Sequence, residues 1–123
     1  MTYGEKLYYA KRYYPFSNWG NSFEHELAQY TKENCDKAKN IFDKLIDELI
    51  SIGEDAGEET KLTLFHKAVE ATNKLNEECD DALIETAERE QLCELFNQIT
   101  LAAGLNPDNY GDGEGIASEW REW

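Results

Sequence analysis

The sequence predicts an all-α fold: a small antiparallel bundle of three main helices, with an N-terminal helix before them and a short docking helix after them. Three observations lead there. Apolar residues recur at alternating three- and four-residue spacings in three separate segments, which marks helices with one buried face. Capping or stop residues bracket those segments. Period-two alternation is absent and β-branched residues are sparse, so no strand is expected. A single domain over residues 1–123 then divides into an aromatic-rich head (1–21), helices over 22–52, 56–79 and 81–103, and a Gly-rich tail (104–123) ending in a short helix.

The head holds Tyr3, Tyr8, Tyr9, Tyr13, Tyr14, Phe16 and Trp19, with Lys6, Lys11 and Arg12 among them. Pro15 pushes Tyr14 out of the helical region, so YYPFSNWGN reads as a turn. These aromatics cap one end of a thin bundle, or they form a binding surface, since Tyr, Trp and Arg are enriched at interaction hot spots.

Asn21 to Glu24 has the shape of a capping box, so a helix is expected from Ser22, weakened at Thr31 and Asn34. From Cys35 the stripe is strong: Cys35, Ala38, Phe42, Leu45, Leu49 and Ile52, with Gly53 as the stop. Asp55 to Glu58 again resembles a capping box. The second stripe is Leu62, Phe65, Val69, Thr72 and Cys79, broadened by Leu64, Ala68, Ala71 and Leu75. Asp80 and Asp81 suit the start of the third helix, whose stripe is Ile84, Ala87, Leu92, Leu95, Phe96, Ile99 and Ala102. Gly104, Leu105 and Pro107 fit a Schellman stop. Each large apolar side chain buried along these stripes contributes roughly 1.5–3 kcal/mol, enough together to drive folding. In the tail, Gly111, Gly113 and Gly115 give a flexible hinge. Ile116 to Trp123 is expected to form a short helix with Ile116, Trp120 and Trp123 on one face.

The chain carries 26 acidic and 12 basic side chains, a formal net charge of −14. Such a chain repels nucleic acid and anionic membrane and attracts a basic protein partner. The plain alternative is that the charge serves solubility alone. No apolar run is long enough for a membrane span, and MTYGEKLYYAKRYY has no apolar core of a secretory signal. Cys35, Cys79 and Cys93 are odd in number and form no CxxC, which points to a reducing cytoplasm and structural thiols.

FHKAVEATNKLNEECDDALIETAERE, followed by the ending REW, resembles an uncharacterised family of small acidic helical bacterial proteins. The residues behind this are Glu85, Thr86, Ala87, Arg89 and Glu90, then Arg121, Glu122 and Trp123, with Tyr13-Tyr14-Pro15 matching in type. That last segment stands farther from the strong helix than the family pattern has it, which implies an insertion around residues 16–33. The resemblance covers residues 35–123. It implies a helical fold and brings no activity.

Candidate chemistry is sparse. DNYGDGEGIASE has Asp108, Asp112, Gly113 and Glu119 where a calcium loop needs them, but Tyr110 at loop position 3, a ligand position, and Pro107 at the entering helix argue against metal. His25 and His66 have no metal-ligand spacing, no nucleophile or phosphate-loop motif occurs, and no cofactor is implied. A hydrolase built on bundle carboxylates lacks the Glu-x-x-His pairs of a di-iron site. The expectation is therefore a non-enzymatic binder of a basic protein, in the class of bacterial immunity proteins and antitoxins against nuclease-type toxins. Glu77, Glu78, Asp80, Asp81 and Glu85 are the expected contact residues. The alternatives are a metal or small-ligand module using residues 108–119, or a helical scaffold. Oligomeric state is open. Arg89, isolated in an acidic run, is expected to clamp the tail through Glu122 or the terminal carboxylate, with Trp120 and Trp123 docking beside it; the alternative is a substrate-anion site.

Overall fold

The computed structural model describes residues 1–17, 19, 31–79, 81 and 83–123. The chain is all-α, with no strand among the described residues. The expected capping box at 21–24, His25 and Asp80 lie outside them.

Helix α1 (Tyr3–Tyr9) opens with a true capping box: Thr2 Oγ1 accepts from the Glu5 amide, and the Glu5 carboxylate accepts from the Thr2 amide. A 3-10 turn, Ala10–Tyr13, extends it. Tyr14 is extended before Pro15, as proline requires. The Trp19 amide then donates to the Pro15 carbonyl at 3.1 Å, closing a helical turn.

Helix α2 (Lys32–Ile52) carries the strong stripe, and the helix start expected at Ser22 lies outside the described residues. Thr31 is extended, and its hydroxyl accepts from the Asn34 amide at 3.1 Å. The residues expected to weaken a helix interior are its N-cap pair. Gly53 (φ 85°) ends α2. Helix α3 (Glu58–Glu78) starts after Gly57, with no side-chain cap, so the Asp55 capping box does not form. Helix α4 (Thr86–Ala102) starts five residues beyond Asp81, which adopts φ 58° in the connecting turn. Leu83 and Ile84 are buried in that connection, while Ala87 is exposed and Glu88 buried, so the first turn of α4 is rotated from the expected phase. The Schellman stop forms as expected: the Gly104 amide bonds the Leu101 carbonyl and the Leu105 amide bonds the Thr100 carbonyl, each at 3.0 Å.

α2 and α3 form an antiparallel hairpin in which Lys67 meets Glu48. α4 packs against the first 3-10 turn and against the tail. The core is one contiguous cluster. At its centre Phe42 lies 4.7 Å from Phe96, ring to ring, and Phe16 joins Phe42 at 5.7 Å, Tyr14 at 5.1 Å and Trp19 at 5.2 Å. Trp19 Nε1 donates to Gln91 Oε1 at 2.8 Å, so the indole is buried with its polar edge satisfied. Much of the aromatic head is therefore core, with Tyr8 and Tyr9 left exposed.

The tail makes three 3-10 turns, Pro107–Asn109, Gly111–Gly113 and Ile116–Glu119, rather than a loop and an α-helix. The last turn reaches both α3 and α4 and buries Ile116 and Ala117 completely or nearly so. Gly115 has φ 113° and ψ 170°, a conformation essentially restricted to glycine. A Cβ there would lie 2.2 Å from Asn97 Oδ1. The glycine serves close approach of the tail to α4 instead of a hinge.

Candidate functional site: an acidic corner beside a lysine-rimmed groove

α3 organises the site through buried polar side chains that grip the backbone of other segments. Asn73 is buried and holds the tail at two points: its Nδ2 donates to the Trp120 carbonyl at 3.1 Å, and its Oδ1 accepts from the Glu122 amide at 3.0 Å. One turn on, Asn76 Oδ1 accepts from the Ile84 amide at 2.9 Å, fixing the approach to α4. At the other end of α3, the Lys61 ammonium donates to the carbonyls of Glu54 (2.7 Å) and Ala103 (2.9 Å), and lies 5.3 Å from the Tyr3 ring. Both carbonyls belong to helix exits, where oxygens need donors and a cation is favoured.

The tail fastening is thus Asn73, with Arg89 elsewhere. Arg89 Nη2 reaches only Thr86 Oγ1, at 3.4 Å, and no ion pair joins it to Glu122 among the described residues. Arg121 folds back onto the tail itself, donating to the Trp123 carbonyl, with its guanidinium 5.7 Å from the Trp123 ring. Trp120 stacks on His66 at 4.6 Å and 18°, and His66 Nε2 lies 3.3 Å from Glu70. Both terminal tryptophans are partly buried against the core.

The loop over residues 108–119 is fastened within itself and to α3. Glu119 Oε1 accepts from the Gly111 amide at 2.7 Å, and Tyr110 donates to Glu58 at 2.6 Å. Burial and the Glu58 carboxylate push the Tyr110 phenol up to about 12. Among the described residues no three metal-ligating side chains converge. Two of the three thiols are poor nucleophiles: burial and then Asp36 push Cys35 up, and burial pushes Cys93 up despite Arg121 and Arg89.

Two surfaces remain. The first is the expected acidic corner. Glu77, Glu78, Asp81 and Glu85 are all exposed, at the C-terminal end of α3 and the entry to α4. None makes an ion pair among the described residues. Glu122 shares a shallow depression with Glu77, Lys67 and Lys74, bringing a tail carboxylate to the boundary between the corner and the lysines of α3.

The second surface was not read from the sequence. A groove of about 420 Å³ runs between α2 and α3. Its floor is Ile41, Leu45, Leu64, Ala68, Ala71 and Leu75. Lys37, Lys44, Lys67 and Lys74 stand on its rim, a third of the chain's 12 basic residues. Their convergence depends on how α2 pairs with α3, which neither helix alone reveals. No family model, curated protein or solved structure matches this chain. No helix among the described residues is long and apolar enough to cross a membrane.

Proposed function

We propose that the protein is a non-enzymatic, cytoplasmic acidic module that binds a basic protein partner through the corner where α3 leads into α4. The class that fits best is a bacterial immunity protein or antitoxin whose carboxylates cover the basic active site of a nuclease-type toxin. Kinship with the family of small acidic helical proteins that end in Arg-acidic-Trp belongs to the same proposal.

One observation carries this reading. Glu77 and Glu78 occupy the last turn of α3, which has no basic residue. Carboxylates there oppose the negative end of the helix dipole and destabilise the helix. Asp81 and Glu85 are exposed at the entry to α4 and make no ion pair among the described residues. Charge kept where it weakens the fold is expected when a partner supplies the missing cations. Steering by such a patch accelerates encounter and weakens with salt.

The test is capture from bacterial lysate at low ionic strength with the immobilised chain, against a variant carrying Glu77→Gln, Glu78→Gln, Asp81→Asn and Glu85→Gln. A basic protein should be retained by the wild type, released by salt and lost on the variant. Expressed alone it should arrest growth, and co-expression with this chain should restore it. Retention of the same partners by the variant at the same salt would remove the acidic corner from the mechanism.

A further inference from the structure

We infer that the groove between α2 and α3 is a docking site for an amphipathic helix of another protein, with an apolar stripe flanked on both sides by carboxylates. This surface adjoins the acidic corner, with Glu78 on the edge of both, and selects the opposite charge.

The rim sets the chemistry. Lys37 and Lys44 lie on one wall and Lys67 and Lys74 on the other. Each pair is seven residues apart, or about 10 Å along its helix. Two walls with cations at heptad spacing match a helix carrying acidic residues at the positions beside its a/d seam, as in coiled-coil pairing. A fatty-acid anion has one carboxylate and would leave most of this rim without a partner. Concentration of a third of the basic residues here, in a chain of net charge −14, is the charge complementarity that names an acidic occupant.

The floor sets the shape. Ala68 and Ala71 keep the α3 side low, and Leu64 and Leu75 bound them along the helix. An incoming helix could therefore approach closely and seat its larger side chains between the two walls, the helix-in-groove mode. From Leu64 to Leu75 the floor runs about 16 Å, roughly three helical turns. The cations are only partly engaged: Lys37 pairs with Glu33 at 3.3 Å, Lys67 with Glu48 at 3.1 Å and Lys44 with Glu48 at 3.9 Å. Lys74 makes no ion pair among the described residues. Glu48 and Glu78 are the carboxylates on the groove lining, and Glu48 is shared by two lysines.

The probe is a fluorescein-labelled synthetic peptide of three heptads with Leu at a and d and Glu at e and g, titrated with the full chain by fluorescence anisotropy at low salt. Saturable binding is expected, weakened at least tenfold by Lys44→Glu with Lys74→Glu. Ala71→Gln, which raises the floor without changing charge, should weaken it comparably. The same peptide with Lys at e and g should not bind. Circular dichroism and melting confirm that the variants are folded. The acidic-corner variant should bind the peptide at least as well as wild type, so failure here is distinguishable from failure of the partner reading above. Absence of saturable binding would overturn the inference, as would equal binding by the folded variants. Displacement of the peptide by palmitate at one equivalent would instead make the occupant a lipid anion. Wild-type dimers that Ala71→Gln converts to monomers would make it a second copy of this chain.

Discussion

At the residue scale, the tail shows how a short polar side chain replaces a long charged one. Asn73 offers a donor and an acceptor at fixed geometry, which suits a backbone carbonyl and amide side by side. Arg89 stood out in the sequence because it is isolated among carboxylates, yet charge contrast does not place a side chain within reach of the tail. Asn73→Ala should cost about 1–3 kcal/mol, because it strands two partly buried backbone groups. It should also change the emission of Trp120 and Trp123, which that clamp positions. Arg89→Ala should stay within about 0.5 kcal/mol with unchanged emission, as expected for a surface change. A reversed order in paired melts would restore Arg89 as the clamp. Asp43 gives a second residue-level test. Burial raises its pKa, but hydrogen bonds from Lys39 and Tyr14 and the charge of Lys11 outweigh that and hold it below the usual carboxylate range. A depressed folded value stabilises the protein above the unfolded pKa of about 4, and that stability is lost as pH falls through the lower folded value. Asp43→Asn should therefore cost about 1–2 kcal/mol at neutral pH. Denaturant titrations of wild type and variant should converge as the pH drops through the acidic range, and a gap that persists unchanged at low pH would contradict the ion pairing.

At the element scale, α3 combines an apolar stripe with buried Lys61, Asn73 and Asn76. The stripe was legible because periodicity is a property of the helix alone: Phe65, Ala68, Val69, Thr72 and Leu75 are buried as spaced. The polar members were not legible, because their burial depends on which backbone groups of distant segments face them. For the same reason α4 was placed too early. Asp81 looked like a cap, but the chain first turns through a positive φ and buries Leu83 and Ile84. Lys61 is the sharpest case: its ammonium pins the exits of α2 and α4 to the start of α3. Lys61→Met keeps the bulk and removes the donors, leaving two carbonyls unpaired. It should cost about 2–4 kcal/mol, a fall in Tm of roughly 10 °C for a chain of this size. A melting point within error of wild type would show that water or a backbone shift satisfies those carbonyls. The opposite end of α3 should respond with the opposite sign. Glu77→Gln and Glu78→Gln remove charges that oppose the helix dipole and should each raise stability by about 0.3–1 kcal/mol. Thermal melts that show no gain would undercut the claim that the corner is held at a cost.

At the scale of the whole molecule, the opposing charges sort into two surfaces. The acidic corner and the lysine-rimmed groove adjoin, since Glu78 ends α3 and also lines the groove. The chain as a whole is net negative, so self-repulsion of 26 acidic against 12 basic side chains acts on the folded state. The ion pairs that resist it are mostly exposed, at distances of 2.8 to 3.9 Å on α2 and α3, and exposed pairs contribute about 0–1 kcal/mol each. Salt screens both terms, but the excess of like charge makes repulsion the larger loss. Raising ionic strength from about 0.01 M to 1 M shortens the Debye length from about 30 Å to 3 Å, so the Tm should rise by several degrees. The same change should weaken capture of a basic partner, whose attraction is screened over the same distance. Folding and binding would then shift in opposite directions along one salt series. A Tm that falls with salt would mean that the surface pairs, rather than the uncompensated carboxylates, dominate the electrostatics of the fold.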